Sequence, residues 1–507
     1  MKSAVVTAAL VGALLVPAIA TASGLPAVPI PSDPRDPLVV KLTGSAATPQ
    51  PLGAQPVPRH PFMAPNGASN IHDDAYQTDA YEGPGPLGRN LTVRSTLFAA
   101  ECASVTFDSR GRIVTVCVSP LGATLRMIDP DSLATLALRE LPPRKPGTFS
   151  FSNFAGGGYF YLDDQDRAVL TTFAGHLQVY AAAEPGFRLV RDVDLTPATR
   201  GADIISALPD WSGRIWFVTG SGVVGFVGAD DSVHSGQLPD GETIANSFAV
   251  DESGGVFVVS THALYRFDVA EGSPVTTWRQ PYDRGTRVKA GQVSQGSGTT
   301  PTLIGAASSA GGGSIAITDN ADPRMNVLVF RRGPAGPGPA LCRQPVFPAG
   351  EGADENSLIS VPGGLIAENN YGYAGPLSGL PGRTADTTPG LVRVDVDYEA
   401  GGCHVAWENT TARIPTVVSK ASLATGLVYG YTHPSAAELP MTLRLPDLLT
   451  PDAWFLTAFD ARTGRQVWSR HVGSGLGHNN NYAPVTLGAD GTAYVGTLGG
   501  LVRIADG

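Results

Sequence analysis

The sequence predicts an all-β protein folded as a single β-propeller of eight four-stranded blades, with seven blades as the alternative. From about residue 90 onward, short runs rich in Val, Ile, Phe and Tyr alternate with turns rich in Gly, Asp, Asn and Pro. The runs group into units of about 40–60 residues, a repeat length typical of propeller blades. No long helical pattern interrupts them.

The repeat is clearest near the C-terminal end. "WFLTAFDARTGRQVWSRHVG" (454–473) has the pattern strand, turn, strand, and Asp490-Gly491 marks a hairpin in the next unit. Long insertions within 281–350 obscure one unit, which is why seven blades stays the alternative. We place the eight strand sets near 100–140, 148–196, 203–239, 243–280, 297–348, 353–409, 414–471 and 480–507.

An N-terminal strand is predicted to close the ring. The last set, 480–507, has room for only three strands, whereas "LTVRSTL" (91–97) is a spare strand that precedes the first set. If it pairs as the outer strand of the last blade, no blade edge is left incomplete.

Composition limits the partners. Of the 507 residues 16% are charged, and 61 Gly and 42 Pro indicate a turn-rich globular chain. The net charge of -10 argues against a nucleic-acid partner, because little would neutralise phosphates. Only five of the 35 basic residues are Lys, a usage typical of GC-rich bacterial genomes. We expect a monomer.

The N-terminal region is predicted to direct export. Lys2, the apolar run 4–20 and the small residues Ala20 and Ala22 fit a signal peptide over 1–22. A single membrane anchor is less favoured, because the run is short for spanning. We therefore predict a secreted or periplasmic protein with no membrane partner after cleavage. A Pro-rich linker over 23–65 and a loop segment over 66–89 precede the propeller of 90–507.

Export makes the four cysteines candidates for disulfides. In a hairpin with Asp108 opposite Gly111, Cys102 lies directly opposite Cys117, close enough for a bridge. Cys342 and Cys403 then pair by elimination.

Residues 456–507, with "AFDARTGRQVW" and "DGTAYVGTLGGLVRI", resemble the repeats of the quinoprotein alcohol dehydrogenase-like (PQQ-repeat) β-propellers. Trp278 and Trp407 stand at places similar to that of Trp468 in their own units, where we expect them to pack between blades. The resemblance implies the fold. Quinoprotein dehydrogenases hold their quinone beside a disulfide of adjacent cysteines, with a Trp platform and a calcium ion. This chain has no adjacent cysteines, so we do not expect PQQ as a cofactor.

No other catalytic motif stands out, so propeller geometry guides the search for a site. The start of the inner strand and the end of the second strand of each blade share one face, and loops that converge there commonly bind ligands. At these positions the fifth and sixth units carry Asp319, Asn320, Glu355, Asn356, Glu368 and Asn369. Oxygen donors of this kind suit Ca²⁺, with Asp319, Glu355 and Glu368 as the possible metal ligands, or sugar hydroxyls. Ordinary turn chemistry is the alternative at each position.

Two further stretches could add to this cluster. "GHNNNY" contains His478 and Asn480 at the start of the last unit, and "SNIHDDAYQTDAY" (69–81) contains His72 and Asp73. The second stretch belongs to no repeat, and we expect residues 66–88 to lie over the channel mouth and offer His72, Asp73 or Asp74 to the cluster.

The functional expectation is a secreted propeller that binds a cation, small molecule, carbohydrate or protein ligand at the channel mouth. The alternative is a secreted hydrolase, lyase or transferase that uses the same face without PQQ, with histidines and acidic groups in acid–base roles.

Overall fold

The computed structural model describes residues 24–33, 42–183, 186–309, 312–378, 384–435, 437–438 and 452–507. Within them, eight four-stranded blades surround a central channel, which confirms the eight-bladed propeller and excludes the count of seven. The sheet of blade 7 has six strands, because two strands of the N-terminal region add to its four. The predicted signal peptide lies outside the described residues.

The strands follow the predicted order, from the inner to the outer strand of each blade. Three strands precede the first blade: β1 (Leu42–Gly44), β2 (Ala80–Tyr81) and β3 (Thr92–Leu97). Blade 1 comprises β4 (Glu101–Phe107), β5 (Ile113–Val118), β6 (Ala123–Ile128) and β7 (Thr135–Glu140), and blade 2 comprises β8 (Tyr161–Leu162), β9 (Ala168–Thr171), β10 (His176–Ala183) and β11 (Gly186–Asp194). Blade 3 comprises β12 (Ile204–Pro209), β13 (Ile215–Thr219), β14 (Val223–Val227) and β15 (Val233–Gln237), and blade 4 comprises β16 (Ala249–Val250), β17 (Val256–Val259), β18 (Ala263–Ala270) and β19 (Ser273–Pro281).

Blade 5 comprises β20 (Thr302–Ile304), β21 (Ser314–Thr318), β22 (Asn326–Arg331) and β23 (Cys342–Pro345), and blade 6 comprises β24 (Ile359–Val361), β25 (Gly364–Glu368), β26 (Leu391–Val396) and β27 (Cys403–Asn409). Blade 7 comprises β28 (Lys420–Ser422), β29 (Leu427–Thr432), β30 (Ala453–Asp460) and β31 (Gln466–Ser474), and blade 8 contains β32 (Val485–Leu487), β33 (Ala493–Thr497) and β34 (Gly500–Ala505). One α-helical turn, α1 (Thr196–Thr199), and one 3₁₀ turn (Leu476–His478) accompany them. In the described ranges no helix has the length and apolar character needed to cross a membrane.

The N-terminal strand closes the ring as predicted. β3 pairs antiparallel with β34 and supplies the outer strand of blade 8, with Thr92 opposite Ala505 and Leu97 opposite Gly500. The chain therefore passes from the outer strand of blade 8 directly to the inner strand of blade 1, and β3 protects the edge of β34.

The turns between inner and second strands explain the recurring Asp. In blade 1 the Asp108 carboxylate accepts the backbone N–H groups of Arg110 (3.0 Å) and Arg112 (2.9 Å), and the Arg112 side chain donates to it at 2.7 Å. Asp163 and Asp210 do the same in blades 2 and 3. Each Asp thus satisfies turn amides that would otherwise be unpaired.

The tryptophans of the repeat pack between blades. The indole N–H of Trp278 in blade 4 donates to the Gly333 carbonyl beside blade 5 at 3.0 Å, and that of Trp407 in blade 6 donates to the Ala461 carbonyl in blade 7 at 3.1 Å. Gly464 has φ +69°, and a Cβ there would lie 2.3 Å from the Trp407 ring. The Thr-Gly of the repeat therefore makes room for the indole of the preceding blade.

Both predicted disulfides, Cys102–Cys117 and Cys342–Cys403, are present. The first forms through a register that differs from the prediction near the turn. Asp108 pairs with Arg112 rather than Gly111, and a β-bulge at Ala103 restores the register that places Cys102 opposite Cys117. The second disulfide joins the outer strands of blades 5 and 6.

The region predicted as a Pro-rich linker lies along the ring where it is described. β1 adds to the outer edge of blade 7, with Leu42 opposite Arg470. The backbone N–H groups of Gln50 and Leu52 donate to the carbonyls of Thr425 and Leu423 at 2.9 Å each.

The loop segment lies inside the ring rather than over its mouth. Residues 69–81, here called the channel segment, are all buried. Their carbonyls accept backbone N–H groups of successive inner strands: Ser69 from Leu162, Ala75 from Val250, Tyr76 from Leu303, Thr78 from Ser360 and Asp79 from Ala421, at 2.8–3.1 Å. The reason is physical, because the innermost strands would otherwise present unpaired N–H groups to the channel.

Candidate functional site

A cavity lies in the channel above the channel segment, at the face where the inner strands begin, here called the upper face. Ile71 and His72 of the channel segment form its floor. Its walls come from the residues around the starts of the inner strands and the loops before them, namely Glu101, Ala103, Phe154, Gly158, Tyr159, Asn246, Thr300, Glu355, Asn356, Ser357, Val418, Asn481, Tyr482 and Ala483. The cavity is therefore built by loops from most of the ring.

The inner cavity is small. The space that the centres of water-sized molecules can occupy is about 30 Å³, which is room for about two waters. One functional group of a ligand fits there, whereas a whole sugar ring does not.

Glu355 is the most unusual group of the cavity. Its side chain belongs to a residue that is 6% exposed, and neither carboxyl oxygen has a hydrogen-bond partner of ordinary geometry among the described residues. Burial raises the pKa of Glu355 to about 8, which the backbone amide of Val293 offsets only in part. At neutral pH the carboxyl is therefore largely protonated and uncharged.

Asn356 connects blade 6 to blade 7 beside Glu355. Its side-chain N–H group donates to the Val417 carbonyl at 2.9 Å and to Glu368, while its own oxygen has no partner. Burial raises the pKa of Glu368 well above its usual range, although the Ser419 hydroxyl donates to it at 2.5 Å. The structure thus joins Asn356 to Glu368, whereas only Glu355 of the two acids lines the cavity.

The other three members of the predicted cluster serve their own loops. The Asp319 carboxylate accepts N–H groups from Asn326 at 2.7 and 2.8 Å, and Asn320 donates to the carbonyls of Arg284 and Arg287 at 2.9 and 3.0 Å. Asn369 accepts the backbone N–H of Ala353 at 3.1 Å. None of the three lines the cavity.

The possible metal ligands Asp319, Glu355 and Glu368 do not form a metal centre. In the part of the chain that the structure describes, no group of three or more His, Cys, Asp or Glu side chains is placed to hold a metal ion. The physical reason is that Asp319 is engaged in its own turn.

His478 and Asn480 stabilise the loop before blade 8. His478 Nδ1 lies 3.2 Å from the Ser474 carbonyl oxygen. Asn480 donates to the Ala483 carbonyl at 3.1 Å and accepts the Thr416 hydroxyl at 3.2 Å. From this loop it is Asn481 and Tyr482 that reach the cavity instead.

His72 lies on the cavity floor as part of a buried ionic network. Its Nδ1 is 3.0 Å from the Asp79 carboxylate, and the Lys420 ammonium donates to the same carboxylate. Although burial opposes ionisation, Lys420 and His72 hold the pKa of Asp79 below its usual range. Burial lowers the pKa of His72, so its ring is neutral with Nδ1–H directed to Asp79. Its Nε2 then carries a free lone pair and has no described partner.

Asp73 and Asp74 do not line the cavity. Asp74 caps the turn that follows it, accepting the backbone N–H of Tyr76 at 2.8 Å, and burial raises its pKa to about 7. Burial also raises the pKa of Asp73 well above its usual range. Neither Asp73 nor Asp74 therefore lies with Glu355 in the cavity wall.

Sequence reasoning missed Glu101, Tyr159 and Tyr482. Glu101 accepts the Asn481 amide at 3.1 Å, and burial raises its pKa to about 8. Its sequence signal was an acidic residue at the first position of an otherwise uncharged inner strand. Tyr482 has φ +74°, next to Asn481 at φ +39°, a strained pair of the kind that accumulates at functional sites.

The comparisons with known proteins leave the family open. No family model matches the chain. A protein of Archaeoglobus fulgidus described as uncharacterized is 26% identical over 340 residues, which covers 62% of this chain and 63% of that protein. The match thus spans less than two thirds of its relative's length.

Solved propellers resemble the chain at low scores. BamB from Moraxella catarrhalis is 13% identical, with 79% of this chain and 95% of BamB covered at a TM-score of 0.43. A streptogramin B lyase is 9% identical, with 82% and 97% covered at 0.40. Virginiamycin B lyase from Staphylococcus aureus is 9% identical, with 71% and 96% covered at 0.39. These likenesses say nothing about activity, and membership of the PQQ-repeat branch stays a prediction.

Fold and site together define an eight-bladed β-propeller whose channel is occupied by the channel segment, with a small cavity above it that Glu355, Asn356 and His72 line. The two disulfides are compatible with an extracytoplasmic location.

Proposed function

We propose that the protein binds a small molecule at the upper face and receives one hydrogen-bond-donating group of it, such as a hydroxyl or amide, in the inner cavity. The observation that carries the proposal is the buried Glu355 carboxyl, whose two oxygens have no hydrogen-bond partner of ordinary geometry among the described residues, with the Val293 backbone amide as their nearest donor. The Asn356 oxygen and His72 Nε2 on the same cavity also lack hydrogen-bond partners among the described residues.

The energetics favour an occupant. Each buried polar atom without a partner costs about 1–3 kcal/mol relative to a hydrogen-bonded one. A donor placed between Glu355 and Asn356 would recover part of that cost, so the free energy of binding would come from its hydrogen bonds to these side chains. Two trapped waters are the competing occupant.

We propose further that the protein acts after export, in the periplasm or outside the cell. The two disulfides support this location, because such bonds persist in oxidising compartments.

Soaking crystals of the protein in acetamide and in ethylene glycol tests the binding proposal. We expect either molecule to place a donor within about 3 Å of a Glu355 oxygen. Glu355→Ala should lose this density, whereas Glu351→Gln, at an exposed acid of the same blade, should retain it. Density for ordered waters alone at high additive concentration would contradict the proposal.

Acid–base catalysis at the same cavity is a second candidate function, as in a hydrolase, lyase or transferase. The Asp79–His72 pair favours it, because the neutral ring is oriented with a free Nε2 that can accept a proton. Glu355, with its pKa near 8, could donate one.

His72→Gln tests this second function. If the protein hydrolyses any of a set of 4-nitrophenyl esters and glycosides, we expect kcat to fall by about 10²-fold or more. Thermal unfolding of the same variant would separate loss of the base from loss of fold. Unchanged kcat in a folded variant would remove His72 from the mechanism.

A further inference from the structure

A groove on the upper face leads to the cavity. It lies between blades 1, 2 and 8 and shares Glu101, Ala103, Phe154 and Gly158 with the cavity. Its apolar lining includes Val118, Phe149, Phe151, Leu476 and Leu498. Water-sized molecules can occupy about 190 Å³ of it, several times the space of the cavity. Phe149 and Leu476 are 37% and 43% exposed, so the groove opens to solvent.

Arg144 lines this groove with its hydrogen-bonding capacity unused. The residue is 6% exposed, and Nε, Nη1 and Nη2 of its guanidinium have no hydrogen-bond partner among the described residues. The exposed Asp203 carboxylate attracts the guanidinium without a hydrogen bond to it. The guanidinium carbon lies 4.0 Å from the centre of the Phe173 ring and 5.5 Å from that of Phe149. These rings can interact with the faces of the guanidinium, whereas its five N–H groups lie in its plane and stay unpaired.

Other buried arginines of the chain are fully engaged, which makes Arg144 exceptional. Arg332 donates to Asp251, to the Tyr76 hydroxyl and to the Ile304 carbonyl at 2.8–2.9 Å. Arg266 donates to both oxygens of Asp268 at 2.8 Å each. In the described ranges Arg144 is the one arginine whose three guanidinium nitrogens are all buried and without a hydrogen-bond partner.

The chemistry of the groove selects the ligand. A buried guanidinium without partners suits an oxyanion, and a carboxylate matches its fork with two parallel hydrogen bonds. The acidic residue lining the groove, Glu101, is largely protonated at neutral pH and does not repel such an anion. The apolar walls suit a hydrocarbon or aromatic body, because they would leave a hydrophilic ligand poorly solvated.

We infer that the groove binds an apolar carboxylate, with its anionic group on Arg144 and its body against Phe149, Phe151 and Phe154. This inference deepens the proposed function by naming the ligand class. It rests on that function only for the inner end of the ligand, where a donor group would reach Glu355. The contact between the ligand's carboxylate and Arg144 does not depend on the cavity or on Glu355.

Titration calorimetry of the full chain with hexanoate and phenylacetate, each compared with its neutral amide, tests the inference. We expect each carboxylate to bind at least about tenfold more tightly than its amide. Arg144→Met should remove this preference, and Arg139→Gln, which removes an exposed charge from the same blade, should keep it. Glu355→Gln should also keep it, so a failure of the cavity proposal is distinguished from a failure at Arg144.

A purely structural role of Arg144 predicts a different result. If the Arg144 guanidinium serves to bind a ligand's anionic group, Arg144→Met removes a buried charge that has no hydrogen-bond partner in the ligand-free protein. The ligand-free variant should therefore unfold at the same temperature as wild type or at a higher one. A lower unfolding temperature with unchanged carboxylate binding would overturn the inference. So would equal affinity of wild type for the carboxylates and their amides, or binding of neither carboxylate.

Discussion

Lys420→Met is expected to lower the free energy of unfolding by about 3–5 kcal/mol. The side chains of Lys420 and Asp79 are fully buried, and the ammonium also donates to the Ile71 carbonyl at 2.6 Å. Met keeps the length of the side chain but leaves the Asp79 charge without its cation inside the ring. Urea denaturation followed by Trp fluorescence would measure the loss.

Two controls make this result specific to the channel segment. Lys145→Met, at an exposed lysine, should change the free energy of unfolding little. The double variant Asp79→Asn, Lys420→Met should recover much of the loss, because no buried charge then lacks its partner. A loss below about 1 kcal/mol in the single variant, the size typical of an exposed ion pair, would contradict the buried network.

Glu355→Gln is expected to stabilise the protein at alkaline pH by as much as about 5 kcal/mol and to have little effect near pH 4.5. The pKa of Glu355 is raised from 4.5 to about 8. Between these values the unfolded chain releases a proton that the folded protein keeps, so stability falls as pH rises through this window. Gln cannot titrate and does not contribute this loss.

Denaturation of both proteins at about pH 5, 7 and 9 would measure the effect. Glu101 and Asp74, whose pKa values are also raised, keep part of the pH dependence in both proteins. The prediction therefore concerns the difference between the two slopes. Parallel slopes would show that Glu355 is ionised in the folded state.

Repeating features of the fold could be predicted from the sequence. Alternating apolar runs recur in each blade, and turns with Asp recur in several of them, so the strand order and the closing strand over 91–97 followed from local pattern. The bulge at Ala103 could not be foreseen, because it depends on how the inner strand packs at the channel. The Cys102–Cys117 pairing was correct even though the turn register differed by one residue.

The candidate site could be predicted only where one blade supplies it. Asn356 precedes β24 and Glu368 ends β25, so the geometry of this hairpin brings the two side chains together. Glu355 is next to Asn356 in the sequence and lines the cavity. The position of His72 depends on how the channel segment pairs with successive inner strands. The sequence of the channel segment contains no repeat that would predict which of its residues pairs with which inner strand. Asp319 and Asn320 have the same residue types as site residues, but short-range turn bonds engage them instead.

Difference infrared spectroscopy tests the central claim most directly. The claim is that the buried carboxyl of Glu355 in the cavity is uncharged at neutral pH and can accept a hydrogen bond from a ligand. Wild type at pH 7 should show a protonated carboxylic acid band that Glu355→Gln lacks, and an added cavity ligand should shift it. A carboxylate band at pH 7 that disappears in the variant would contradict the claim.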